Sequence, residues 1–107
     1  MTDKRTSNRA RVDFYLNKYV EGVPYLARAS NISPTGLNLA HLIEPRHSEK
    51  RVGLQFQLPG SAELIYAEGE VVRRWSGKKC EGSGVRFTLI AARHREMINQ
   101  FVEGAGA

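Results

Sequence analysis

The sequence predicts a mainly β domain closed by one C-terminal helix, and three observations carry that expectation. Apolar residues alternate with polar ones in six successive runs, the period of strands with one buried face. Short clusters of Gly, Pro, Asn and Ser separate the runs, and these residues break strands. Near the C-terminus the period changes. His94, Met97, Ile98, Phe101 and Val102 recur at i, i+3, i+4, i+7 and i+8, one face of an amphipathic helix.

Each element has its own local signal. "RVDFYLNKYV" opens the first strand, with Val12, Phe14 and Leu16 on one side. "VPYLARAS" reads as its hairpin partner, joined through Glu21-Gly22. "NISPTG" is the next turn, where Gly36 can take a positive φ. "LNLAHL" presents Leu37 and Leu39 to one face. "VGLQFQL" is the clearest strand, alternating Val52, Leu54, Phe56 and Leu58 with Gly53, Gln55 and Gln57. After the "PGS" turn, "AELIYAEGEVVRRW" is a long strand in which Gly69 marks a bulge or bend. "SGKKCEGSG" reads as a loop and "GVRFTLI" as the last strand, with Val85, Phe87 and Leu89 inward. The helix ends at Gly104, with His94 on its apolar face for packing. Six short strands and a helix suit a sandwich or a barrel, with the helix capping one end or lying on the side.

The chain of 107 residues suits one domain, whose first ten residues, 1–10, read as a flexible basic arm. Apolar content of 41% and charged content of 25% are those of a water-soluble globule, and no apolar run is long enough to span a bilayer. The polar start "MTDKRTSNRAR" is not a signal peptide, and a single cysteine, Cys80, forms no internal disulfide; both point to the cytoplasm. Net charge is +5. Residues 1–11 hold Lys4, Arg5, Arg9 and Arg11 against Asp3, a net +3, and a second basic cluster is "RRWSGKK". The arm points to an anionic partner, and the second cluster reads as a solvated face.

Catalytic chemistry is not expected. His41, His47 and His94 have no metal-ligand spacing with each other or with Cys80, so no metal site is expected. There is no phosphate-cradling glycine loop and no nucleophile elbow. Glu68 and Glu70 share a strand face, but a glycosidase pair needs a deep cleft that a chain this small hardly builds.

The short motifs acquire meaning together. Arg5-Thr-Ser-Asn-Arg9 is an RxxxR spacing, and Asn31-Ile-Ser33-Pro-Thr-Gly36 fits [D/N]xSxxG. Then come "GEVVRRW", "GVRF" and a terminal helix. In this order the chain, from about residue 4 to residue 103, resembles a PilZ domain, the bacterial receptor module for cyclic di-GMP. The resemblance implies a six-stranded antiparallel β-barrel with a C-terminal α-helix over residues 11–104. It implies a ligand, cyclic di-GMP, and no other cofactor. It matches Arg5 and Arg9 to the family's two arginines, and Asn31, Ser33 and Gly36 to its polar loop. In the family pattern the second arginine directly precedes the first strand's opening aliphatic residue. Here that position is Arg11, before Val12, so two registers are open.

The chemistry suits such a ligand. A guanidinium fork meets phosphate oxygens or the O6 and N7 edge of guanine in two parallel hydrogen bonds. Asn31 offers a donor and an acceptor, and Ser33 a hydroxyl. Trp75 is either a core tryptophan at the barrel end or a cover for a guanine face. Function then divides two ways: a nucleotide receptor that signals to an effector protein through a changed surface, or a protein-interaction module of the same fold that does not bind the nucleotide. A nucleic-acid-binding barrel would interleave aromatics with basic residues. Tyr15, Tyr19 and Lys18 alone hint at that, so nucleic acid is not the expected partner.

Overall fold

The computed structural model describes residues 9–42, 44 and 47–106. Six strands form a closed barrel: β1 (Ala10–Val20), β2 (Val23–Ser33), β3 (Gly36–His41), β4 (Arg51–Phe56), β5 (Ile65–Ser76) and β6 (Glu81–Ile90), with helix α1 (Ala92–Gly106) after them. Round the barrel the order is β1-β2-β3-β6-β5-β4, with β4 pairing back onto β1 and every pair antiparallel. Closure leaves no unpaired edge. The alternation seen in the sequence fills the interior: Leu16, Leu39, Leu54, Phe56, Ile65 and Val85 are among the buried residues. The rings of Phe14 and Phe56 stack with centroids 5.8 Å apart.

The turns obey local chemistry. Glu21 and Gly22 have φ of 52° and 82°, the backbone of a two-residue hairpin turn whose twist matches its strands. Strand β2 runs further than the sequence suggested, through Asn31 to Ser33, so the turn itself is Pro34-Thr35. No residue of that turn has a positive φ. Gly36 is required for a different reason. A Cβ there would run into the Val85 carbonyl oxygen of β6, so the glycine permits close strand approach rather than a left-handed turn.

Bulges decide which side chains face out. On passing from Gly69↔Phe87 to Glu68↔Leu89, β6 advances one residue more than β5. The extra residue, Thr88, reverses the inward–outward parity of the residues after it. Leu89, expected inward, is therefore 62% exposed. Gly69 does lie at an irregularity, but the added residue is on the opposite strand. A second bulge adds Val72 to β5 and leaves it exposed, and a third adds Ser30 to β2. Strand β6 also starts earlier than expected, at Glu81, because Trp75 pairs with Gly82 and Arg74 with Ser83.

Helix α1 packs on β1 and β2 through Ile98 and Val102, with Met97 and Phe101 partly buried beside them. It continues past Gly104 to Gly106. His94 is half-buried and reaches Glu63 at 3.1 Å, so it bridges as well as packs.

One inward position is a lysine. Lys18, between Leu16 and Val20, is fully buried; its Nζ donates to Glu44 Oε2 at 3.0 Å and lies 3.3 Å from His41 Nε2. His41 also contacts Ser83 Oγ at 3.0 Å, and His47 meets the same Glu44 oxygen at 2.8 Å. Burial pushes the Lys18 amine down from its ordinary value. Such a pair adds little stability when intact, but removing one partner leaves a buried charge, at a cost of about 3–5 kcal/mol.

Candidate ligand site

The N-terminal end of β1, the β2–β3 hairpin and the middle of β5 and β6 meet on one outer face. Arg9, directly before β1, donates from Nη1 to Asn31 Oδ1 at 2.8 Å. Thus the arm and the polar hairpin, 22 residues apart in sequence, are joined by a side-chain bond. Arg11 is exposed and lies in the ladder opposite Asn31. Asn31 is in turn opposite Asn38 on β3. Arg5 lies outside the described residues.

The hairpin tip is held from several sides. Ser33 Oγ accepts the Thr35 N–H at 3.2 Å, donates to the Gly36 carbonyl at 3.3 Å and lies 3.1 Å from Thr35 Oγ1. Ser33 is 4% exposed, so its hydroxyl shapes the turn rather than facing a ligand. From outside the hairpin, the Phe87 N–H donates to the Thr35 carbonyl at 2.8 Å and Arg95 of the helix donates to the Pro34 carbonyl at 3.2 Å. The loop is a fixed rim.

Beside it lies a cleft of about 410 Å³, lined by Arg9, Thr35, Gly36, Leu37, Asn38, Val72, Arg73, Gly84, Val85 and Arg86. Its walls carry three guanidiniums, the character of an anion site. Arg86 is tied to Glu70 at 2.7 Å. Arg73, from the cluster read as a solvated face, donates from Nη2 to Asn38 Oδ1 at 3.0 Å. It also lies 5.2 Å from the centre of the Trp75 ring. Trp75 is half-buried, neither a core residue nor a wall of this cleft. Its indole covers Gly82 and borders a smaller hollow of about 230 Å³ with His41, Glu44 and His47. Arg74, its neighbour, donates to the Glu49 carbonyl at 2.9 Å instead.

A roomier concavity, about 620 Å³, lies elsewhere. Glu21, Glu68 and Glu70 line it with Tyr19, Tyr66 and Arg51, and three carboxylates against one guanidinium disfavour an anion. Of the ligand-contact residues expected from the sequence, Arg9 and Gly36 line the basic cleft and Asn31 is bonded to Arg9 at its lip, whereas Asn38, Arg73 and Arg86, which also line it, were not among them. The signal available for Arg73 was its place next to Trp75 in a basic cluster.

A closed six-stranded barrel with an arginine-bearing entrance fastened to an NxSxxG hairpin defines the class. The chain belongs to the PilZ domain family, whose model matches residues 3–104. No curated protein sequence matches the chain. The Bacillus subtilis inhibitor of motility, MotI/DgrA, is similar in structure, with a TM-score of 0.73 at 18% identity over 95% of this chain and 50% of that one. The Borreliella burgdorferi PlzA protein, solved in complex with c-di-GMP, gives a TM-score of 0.61 at 13% identity over 95% of this chain and 38% of that one. At these identities the likeness is one of fold, and this chain spans half or less of either neighbour.

Proposed function

We propose that this PilZ domain is a receptor for cyclic di-GMP rather than an enzyme. The dinucleotide is gripped between the arginine arm and the Asn31–Gly36 hairpin. The single observation that carries the reading is the Arg9–Asn31 hydrogen bond, which fastens the arm to the hairpin at the lip of a basic cleft. The PlzA complex with c-di-GMP supports the choice of ligand. In this reading Arg9 supplies a charged fork to phosphate or guanine, with Arg5 or Arg11 as its partner, and Asn31 presents its amide to a guanine edge. Gly36 lets the ligand and β6 approach the hairpin closely, Ser33 fixes the turn, and Trp75 supports the face through Arg73. Binding folds the arm onto the barrel, and an effector protein in the cytoplasm reads the changed surface.

Calorimetric titration tests this. Cyclic di-GMP should bind with measurable heat, GTP and a short RNA much more weakly, and Arg9→Ala should abolish the difference. Equal heats for all three ligands, or none for cyclic di-GMP, would leave the protein-interaction module as the function.

A further inference from the structure

The entrance face carries a repeated unit that the two sequence motifs do not contain. On β2, Asn31 Oδ1 accepts from Arg9 at 2.8 Å; on β3, Asn38 Oδ1 accepts from Arg73 at 3.0 Å. Asn31 and Asn38 are direct cross-strand partners, brought opposite each other by the extra residue in β2 at Ser30. Two guanidiniums are thus tethered to adjacent amides, one from each side. Both line the 410 Å³ cleft.

Arg73 is more constrained than a solvated arginine. Asn38 holds one end of its fork, and the guanidinium lies over the Trp75 ring. A Cβ on Gly84 would stand 3.0 Å from Asn38 Oδ1 and 3.5 Å from Arg73 Nε, so the glycine there leaves room for the pair. Those contacts are with neutral groups, whereas the nearby Arg86 is matched by Glu70. A guanidinium held in place by neutral partners retains its charge for an incoming anion.

We propose that Arg73 is a ligand-contact residue and that Asn38 is its positioning residue. The Asn31–Asn38 pair then fixes the separation of the Arg9 and Arg73 guanidiniums, and that separation selects a ligand whose two phosphates are held apart by a ring. A mononucleotide satisfies one guanidinium at a time. A linear dinucleotide must lose chain freedom to satisfy both. This assignment rests on the receptor reading above.

The test is calorimetry on the full chain with cyclic di-GMP, its linear dinucleotide pGpG, and GTP. Arg73→Ala should weaken cyclic di-GMP by about tenfold to a hundredfold, the value of one charge-assisted hydrogen bond. It should change pGpG and GTP affinity by less than about threefold, so cyclic-over-linear selectivity collapses. Arg73→Lys keeps the charge but loses the fork and the stacking, and should resemble Arg73→Ala. Asn38→Ala should lower selectivity while Lys79→Ala leaves it unchanged. Melting temperatures should stay level for Arg73 variants, because the side chain is exposed. Tight wild-type binding that Arg73→Ala leaves intact, or that it weakens equally for all three ligands, overturns this assignment alone. No binding of cyclic di-GMP by the wild type overturns the receptor reading and this assignment together.

Discussion

Arg9, Asn31 and Lys18 show how much a single residue's setting decides. Arg9→Ala should cost binding about 2–5 kcal/mol if its fork is desolvated against ligand, whereas Lys4→Ala, which removes only screened charge, should cost about 1 kcal/mol or less. Arg5→Ala and Arg11→Ala decide between the two registers: loss of cyclic di-GMP binding in Arg11→Ala with binding intact in Arg5→Ala would put Arg11 in the second arginine's role and overturn the Arg5/Arg9 register. A second residue-scale outcome concerns acid. His41 is held below its ordinary value of 6.5, first by burial and then by the Lys18 charge, with Arg74 and His47 acting the same way and Glu44 opposing them. The folded chain therefore takes up that proton less readily than the unfolded chain. Its stability contribution is intact above about pH 6.5 and is lost as pH falls below it, by at most about 1.4 kcal/mol per pH unit. Burial pulls the Glu44 carboxyl up, but Lys18 and His47 outweigh it and hold it below 4.5, so a further loss begins under that pH. Thermal melting between about pH 7.5 and 5 should show the first loss, and His41→Gln, which cannot take up the proton, should flatten it.

At the scale of elements, the β2–β3 hairpin and the paired strand β6 act as one piece. Gly36→Ala places a methyl against the Val85 carbonyl, which belongs to backbone and cannot swing away. Overpacking of this kind costs about 1–3 kcal/mol, and here the upper end is expected. Chemical denaturation should show that loss alongside weaker ligand binding, in contrast to Arg9→Ala, which should impair binding at unchanged stability. Gly69→Ala meets a side-chain methyl, Val85 Cγ1 at 2.5 Å, together with the Arg86 carbonyl at 2.9 Å. It should destabilise as well, and because Val85 and Arg86 pair with Leu37 and Gly36, part of the strain should reach the hairpin. The helix is tied to the barrel by Arg93, which pairs with Glu63, and to the hairpin by Arg95. Movement of the hairpin on binding would therefore be felt by α1.

For the whole molecule, the question is what moves. Ala10 and Arg11 already pair with Ile32 and Asn31, so ligand-dependent ordering is expected to begin before β1, in residues 4–9. Residues 1–8 lack any large apolar side chain after Met1 and have little surface to bury without a ligand. Amide hydrogen exchange with and without saturating cyclic di-GMP should show new protection in residues 4–9 and at the hairpin tip, and hardly any change in residues 52–58. Equal protection of residues 4–9 in both states would remove the proposed switch. The barrel itself is expected to stay rigid, because its strands close on each other and share one core.

By itself the sequence determined the strands, the hairpins, the amphipathic helix and the two motifs. Each depends on the neighbours of a residue along the chain: a period of two, a period of 3.6, or a turn residue with its own backbone preference. That is why Val52 to Leu58, the Glu21-Gly22 turn and the Met97–Val102 face were legible. Tertiary structure alone decided the rest. A bulge counts residues on two strands at once, so the outward turn of Leu89 could not be read from β6. Lys18 looks like a break in an apolar face until Glu44 and His41 arrive, from the β3–β4 connection and the end of β3, to partner it. Arg73 looks solvated until register sets Asn38, 35 residues earlier, beside it. Alternation is a local property of the chain, whereas which side chains meet is fixed by strand register, and register is set only when the barrel closes.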